Sequence, residues 1–248
     1  MLACLLASLL SWQDPAPPAP APDTAPPAAK PVVVALDDRA AKEAVKDLEL
    51  ALKDTASLAD KNRALDKIAD RSHERLLKPL ATLIEKEKSV LLRKRAAVLL
   101  RNHPPALANP AIRKLLANPR VQGHPGVAAE LVRSLAACGY TAKQWSEIQG
   151  LFEVDYHAER VPLHEALLDL ITQHKEKQAV DLLLRNLDEP VPENEHHADN
   201  PPAEYWEARW KAWAIWKGKV QEALFAITGQ RFSTAAEARA WLAKNPLR

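Results

Sequence analysis

Large aliphatic residues recur in this chain at one long interval, and that recurrence limits the fold more than any other feature. Leu48 in DLELAL, Leu80 in PLATLI and Ile112 in AIRKLL stand 32 residues apart. Ile148 in EIQGLF, Val180 in AVDLLL and Leu224 in ALFAIT continue the series at steps of 36, 32 and 44. The positions three and four beyond each anchor are mostly apolar as well: Ala51 and Leu52, Leu83 and Ile84, Leu115 and Leu116, Leu151 and Phe152, Leu183 and Leu184, then Ile227. An i, i+3, i+4 triplet is one face of an α-helix, so six helices present equivalent faces. Sixteen residues after each of the first four anchors stand Ala64, Ala96, Ala128 and His164, inside NRALDKIA, KRAAVLLR, GVAAELVR and LHEALLDL. Small residues let helix backbones approach closely. Alternating Leu-faced and Ala-faced helices therefore predict helical hairpins stacked one on the next, stable only as an array. Steps longer than 32 mark insertions, one near CGYT (138–141) and a longer loop at 188–203 that includes EPVPENEHHADNPPA.

Composition agrees. Glycine is scarce, with 6, and Leu, Ala, Lys and Glu dominate, which favours helix over strand. A net charge of +2 with 27% charged residues supplies no global field that demands nucleic acid or anionic lipid. MLACLLASLLSWQ opens the chain with an apolar run too short to span a bilayer but matched to the core of a secretory signal, although no Lys or Arg precedes it. Residues 1–13 are accordingly expected to be a signal peptide, and the protein to be exported, periplasmic or extracellular. Residues 14–35 read as a Pro/Ala-rich linker, since DPAPPAPAPDTAPPAAKP holds eight of the twenty prolines and almost nothing to bury. The folded part is expected over 36–248, with no membrane insertion after signal cleavage. Cleavage would leave Cys138 as the lone cysteine, excluding an internal disulfide; beside Gly139 it reads as a packed residue.

LLRKRAAVLLRN (91–102), with Leu92, Arg93, Lys94, Arg95, Ala96 and Ala97, resembles the second helix of a HEAT repeat. Pro79 and Pro110 sit where first helices of that family often bend. The third unit, GHPGVAAELV, lacks the arginine, and the fourth has His164 in place of the small residue. The short period is nearer the HEAT-like repeats of the phycobilisome-lyase type. The resemblance covers about residues 37–230, and ITGQRFSTAAEARAWLAKNP (227–246) is similar to a tail on secreted HEAT-repeat proteins of planctomycete-type bacteria. It implies an all-α fold, an α-solenoid of about five to six stacked hairpins with a C-terminal cap over 229–246. The tail is readable physically too: Gly229 ends one helix, Thr234 and Glu237 form a capping box, and Phe232 and Trp241 cover the stack.

An extended helical surface without a catalytic constellation points to a scaffold or adaptor for a protein partner. Neither a phosphate loop nor a nucleophile elbow occurs, and no catalytic residue, metal ligand set or cofactor is expected. EHHADN (195–200) reads as a solvated loop, because adjacent histidines rarely share one ion. AEYWEARWKAWAIWKGK (203–219) is the sharpest candidate. Trp206, Trp210 and Trp213 fall on one stripe expected to face the stack, with Tyr205 and Trp216 at its margin. Tyr205, Trp206, Arg209 and Trp216 are thus candidate binding residues, and an aromatic-lined carbohydrate or peptide module is the alternative function. Arg63, Lys67, Lys94 and Arg101 belong to a basic stripe on the early second helices, which also holds Lys61, Arg93 and Arg95. Interleaved acids dilute it, so a nucleic-acid partner is disfavoured. A HEAT-like lyase or glycosylase is the remaining alternative, with Glu165 and Asp169 its nearest acids or bases.

Overall fold

Helices and short 3-10 turns account for most of residues 33–53, 55–192 and 200–247, which the computed structural model describes. The expected signal peptide and most of the expected linker lie outside the described residues, as does EHHADN apart from Asn200. The helices are α1 (Asp38–Ala51), α2 (Leu58–Lys67), α3 (Glu74–Lys86), α4 (Val90–Leu99), α5 (Pro105–Leu116) and α6 (Pro119–Gln122). They continue as α7 (Pro125–Ala137), α8 (Trp145–Ile148), α9 (Val161–His174), α10 (Val180–Arg185), α11 (Ala203–Thr228) and α12 (Ala235–Lys244). Polar caps start several of them: Asp37 accepts from the Ala40 N–H at 2.7 Å, and Ser57 from that of Asp60 at 3.1 Å. Proline occupies the first turn of α5, α6, α7 and α9, where its missing N–H costs nothing.

Neighbouring helices pack in two series. Within hairpins α1 meets α2, α3 meets α4 and α5 meets α7; between hairpins α1, α3 and α5 touch in series, as do α2, α4, α7, α9 and α11. Leu48, Leu80, Ile112, Ile148 and Leu224 are buried in one cluster, Val180 packs against its edge, and Ala64, Ala96, Ala128 and His164 are buried too. The sixteen-residue offset therefore places both helix sets on a common core.

Polar side chains also join residues about one period apart. Arg95 reaches the Asn62 side chain, 33 residues back, at 3.0 Å and also bonds Asp66. The Asn102 amide donates to the Ala69 carbonyl across 33 residues at 2.6 Å, and Arg101 bonds Ser134 across the same separation at 3.0 Å. Arg113 pairs with Glu147, 34 residues on, and the Tyr140 hydroxyl donates to Glu176, 36 residues on, at 2.7 Å. These bonds tie helices that already contact through the core.

Four local findings depart from the sequence expectations. The linker does not extend to 35, because Val34–Ala35 (β1) pairs in parallel with Arg71–Ser72 (β2). The anchor helix at Ile148 is a single turn, α8, flanked by 3-10 turns, with Gly150 breaking it. The separate helices expected around Trp213 and Leu224 are one continuous α11 of 26 residues. Gly218 alone does not end it, since no proline or capping side chain accompanies it.

The fourth departure is the phase of that helix. Its buried stripe is Ala212, Trp216, Val220, Ala223 and Leu224, while Trp210 is 46% exposed. At about 100° per residue this is roughly a quarter turn from the Trp206–Trp210–Trp213 stripe. Ala208 and Ala212, whose small side chains permit close approach to the core, fix the phase. Trp216 is therefore a core residue, packed edge-on to Phe152 at 5.3 Å, and not a marginal one.

The C-terminal cap forms from the residues named for it. Gly229 takes φ 73° and donates its N–H to the Phe225 carbonyl at 2.8 Å. Thr234 accepts from the Glu237 N–H at 3.2 Å, while the Glu237 carboxylate takes the Ser233 N–H at 2.8 Å, one residue before the cap. Phe232 is buried against Trp241, ring centroids 5.7 Å apart.

Candidate functional site

The basic candidates separate once placed. Arg101 donates to Glu130 at 2.9 Å as well as to Ser134, which makes it an inter-helix tie. Lys94 is half-buried, its side-chain end lying over Gly126 in the first turn of α7, where a Cβ would meet Lys94 Cε at 2.6 Å. Lys61 is buried in a 2.8 Å ion pair with Glu87, and Arg93 donates from its buried side chain to the Ile84 carbonyl at 2.6 Å. Only Arg63 and Lys67 remain exposed, beside an apolar groove between α1 and α2 floored by Leu48 and Ile68. What reads in sequence as a basic stripe is mostly internal wiring.

The aromatic candidates converge better. Tyr205 and Trp206 lie edge to face at 5.4 Å in the first turn of α11, and Tyr205 meets Tyr156 at 5.7 Å. Arg209, one turn on, holds its guanidinium over Tyr156 at 5.2 Å and over Trp206 at 5.6 Å. Burial pushes the Tyr156 hydroxyl above its ordinary pKa, with Arg209 pulling it back down. Trp206 and Arg209 line a cavity of about 490 Å³ between α10, residues 188–191, Asn200 and the start of α12. Leu184, Val191 and Ala235 supply apolar walls; Arg185, Asp188, Glu189 and Arg239 supply charge. Arg185 pairs with Glu153 at 2.9 Å, Asp188 accepts the Ala235 N–H at 2.9 Å, and Glu189 accepts from the Trp210 indole. The indole N–H of Trp206 and the Nε of Arg209 are buried without an acceptor among the described residues.

Trp216 does not join this pocket. It sits behind it with Phe152, Tyr156 and His164. The His164 ring is fully buried, 4.7 Å from Phe152 and 5.5 Å from Tyr156, and neither nitrogen has a hydrogen-bond partner among the described residues. Burial first, then the Arg160 charge, lowers its pKa to about 4. Proximity of His164 to the aromatic cluster was not apparent from sequence, although its place in the series of small second-helix residues marked it as a core position.

Glu165 is half-buried, while Asp169 is exposed and bonded to Lys219 at 2.5 Å, so the two acids share no cleft with the cavity. Cys138 is 1% exposed with its thiol pKa raised by burial, as a packed residue should be. Among the described residues no helix is long and apolar enough to cross a membrane. No protein-family model, curated protein or solved structure matches the chain.

Proposed function

We propose that the chain is an exported α-solenoid of HEAT-like hairpins serving as a scaffold or adaptor, which binds a protein partner by surface complementarity without bond-making chemistry. The observation that carries this reading is the bonding of side chains one period apart, Arg95 to Asn62, Asn102 to Ala69 and Arg101 to Ser134. Such bonds stack like units and use their internal charges for cohesion, leaving the outward positions for recognition. Exposed Leu58 and Leu91, at the first turns of α2 and α4, are 51% and 62% accessible and one period apart. Apolar side chains left in water at equivalent repeat positions suit an extended contact surface.

Affinity capture with residues 32–248 as bait tests the proposal. A retained protein whose binding falls when Leu58 and Leu91 are both changed to Glu, with helicity unchanged, supports it. If nothing is retained while purified glycans quench tryptophan fluorescence, the carbohydrate-binding alternative takes its place.

A further inference from the structure

We infer that the cavity between α10, α11 and α12 receives a carboxylate-bearing peptide segment of the partner, an inference that rests on the protein-binding reading above. The argument begins with charge. Arg95, Arg101, Arg113 and Arg133 each reach a carboxylate on their own or a neighbouring helix. Arg209 and Arg239 have none within ion-pair distance among the described residues, and both line this cavity. Arg209 is half-buried, and holding a guanidinium partly out of water without a counter-ion is costly, so an anion is favoured beside it; Arg239 is exposed and adds a second positive charge.

Arg209 is also oriented in advance. The Tyr156 and Trp206 rings fix its plane, which lowers the entropy lost when a carboxylate is gripped. Its Nε and the Trp206 indole N–H are buried without an acceptor among the described residues, which leaves the outer guanidinium nitrogens of Arg209 as the donors that a ligand would meet. The acids at the cavity wall are held in place, Asp188 by the first N–H of α12 and Glu189 by Trp210, and they keep their negative charge, so the anion is expected on the side of Arg209 and Arg239. Leu184 and Val191 offer an apolar wall to a side chain next to the carboxylate. A sugar fits less well, because the guanidinium of Arg209 lies over the Trp206 ring that a pyranose would stack on.

The rival anion is internal. Segment 193–199 leads to Asn200 at the cavity and carries Glu193, Glu195 and Asp199 in its sequence. The test therefore uses the full chain in two forms, wild type and the E193Q/E195Q/D199N variant. The probes are an acetylated, amidated hexapeptide of alternating Leu and Glu, its Leu/Gln counterpart, and oligogalacturonate, with binding read by calorimetry and tryptophan fluorescence. The acidic peptide is expected to bind at least one of the two forms about tenfold more tightly than the Gln peptide, and more weakly at high salt. R239A, at an exposed position that folding does not need, and R209K, which keeps charge but loses the planar fork, should each weaken it about tenfold. No preference for the acidic peptide in either form, unchanged binding by R239A, or tighter binding of oligogalacturonate overturns the inference. Any of these leaves capture through Leu58 and Leu91 untouched, so failure here is distinguishable from failure of the scaffold reading.

Discussion

The stretch from α2 to α9 and the stretch from α10 to α12 differ in how their arginines and asparagines are tied to neighbouring helices. In the first, arginines and asparagines sit at repeating positions and bond a residue one period away, as Arg101 does with Ser134 and Asn109 does with the Cys138 carbonyl at 3.1 Å. In the second, the spacing is interrupted by the 188–203 loop and by the uninterrupted α11, so no following unit supplies partners. Trp206, Arg209, Trp213 and Trp216 keep buried nitrogens without acceptors among the described residues, as His103, Arg160 and His164 do in the first stretch, but only Trp206 and Arg209 of these line a cavity with charged walls. A satisfied polar group holds a fold together, whereas an unsatisfied one at a cavity is available to a ligand. The contrast assigns cohesion to the middle of the chain, and under the proposal above it leaves recognition to the C-terminal part.

The strongest way to break that comparison is to damage the middle. Ile112 is fully buried between the contacting helices α3, α5 and α7, and Ile112→Ala should cost roughly 2–5 kcal/mol. Urea denaturation should show one cooperative transition at lower midpoint, since the units are not expected to unfold separately.

Acid probes the α2–α9 stretch by itself. His103 and His164 are buried, and burial lowers each from 6.5 to about 4. The unfolded chain takes up these protons near the ordinary value, and the folded chain resists until about pH 4. Their contribution is therefore complete above about pH 6.5 and lost progressively between there and pH 4, about 3 kcal/mol each at full loss. His164→Phe should remove its share of the slope in a stability-versus-pH series, leaving that of His103.

Smaller effects sharpen the distinction. Glu130 accepts from both Arg101 and Arg133, so Glu130→Ala should lower stability by about 1–2 kcal/mol. Arg239→Ala, at the cavity, should change the melting free energy by no more than about 0.5 kcal/mol. A thermal melt of both variants decides whether arginine networks divide as described.

Much of the core was legible because period and helical phase are local properties. Leu48, Leu80, Ile112 and the three alanines at the half-period could be identified by counting, and they are buried together. The polar ties were not legible: Arg95 and Asn62 carry no mark in sequence that they meet, and the arginines read instead as an exposed basic stripe diluted by acids. The phase of α11 was missed because tryptophan is the largest apolar residue and was given the core, whereas Ala208 and Ala212 allow the close approach that decides which face goes in. Trp210, turned outward, bonds Glu189. Of the aromatic candidates, Tyr205, Trp206 and Arg209 do assemble, because consecutive turns of one helix keep them adjacent whatever its phase.

The central claim is that the 32-residue period is the physical unit of stacking. Removing residues 64–95 joins Arg63 to Ala96 and takes out one whole period, placing one buried alanine where another stood. Removing only residues 64–79 takes out half and puts a Leu-faced helix in an Ala-faced position. Circular dichroism melts of the two deletions should show the first folded and cooperative and the second unfolded or molten. Two deletions that melt alike would contradict the account.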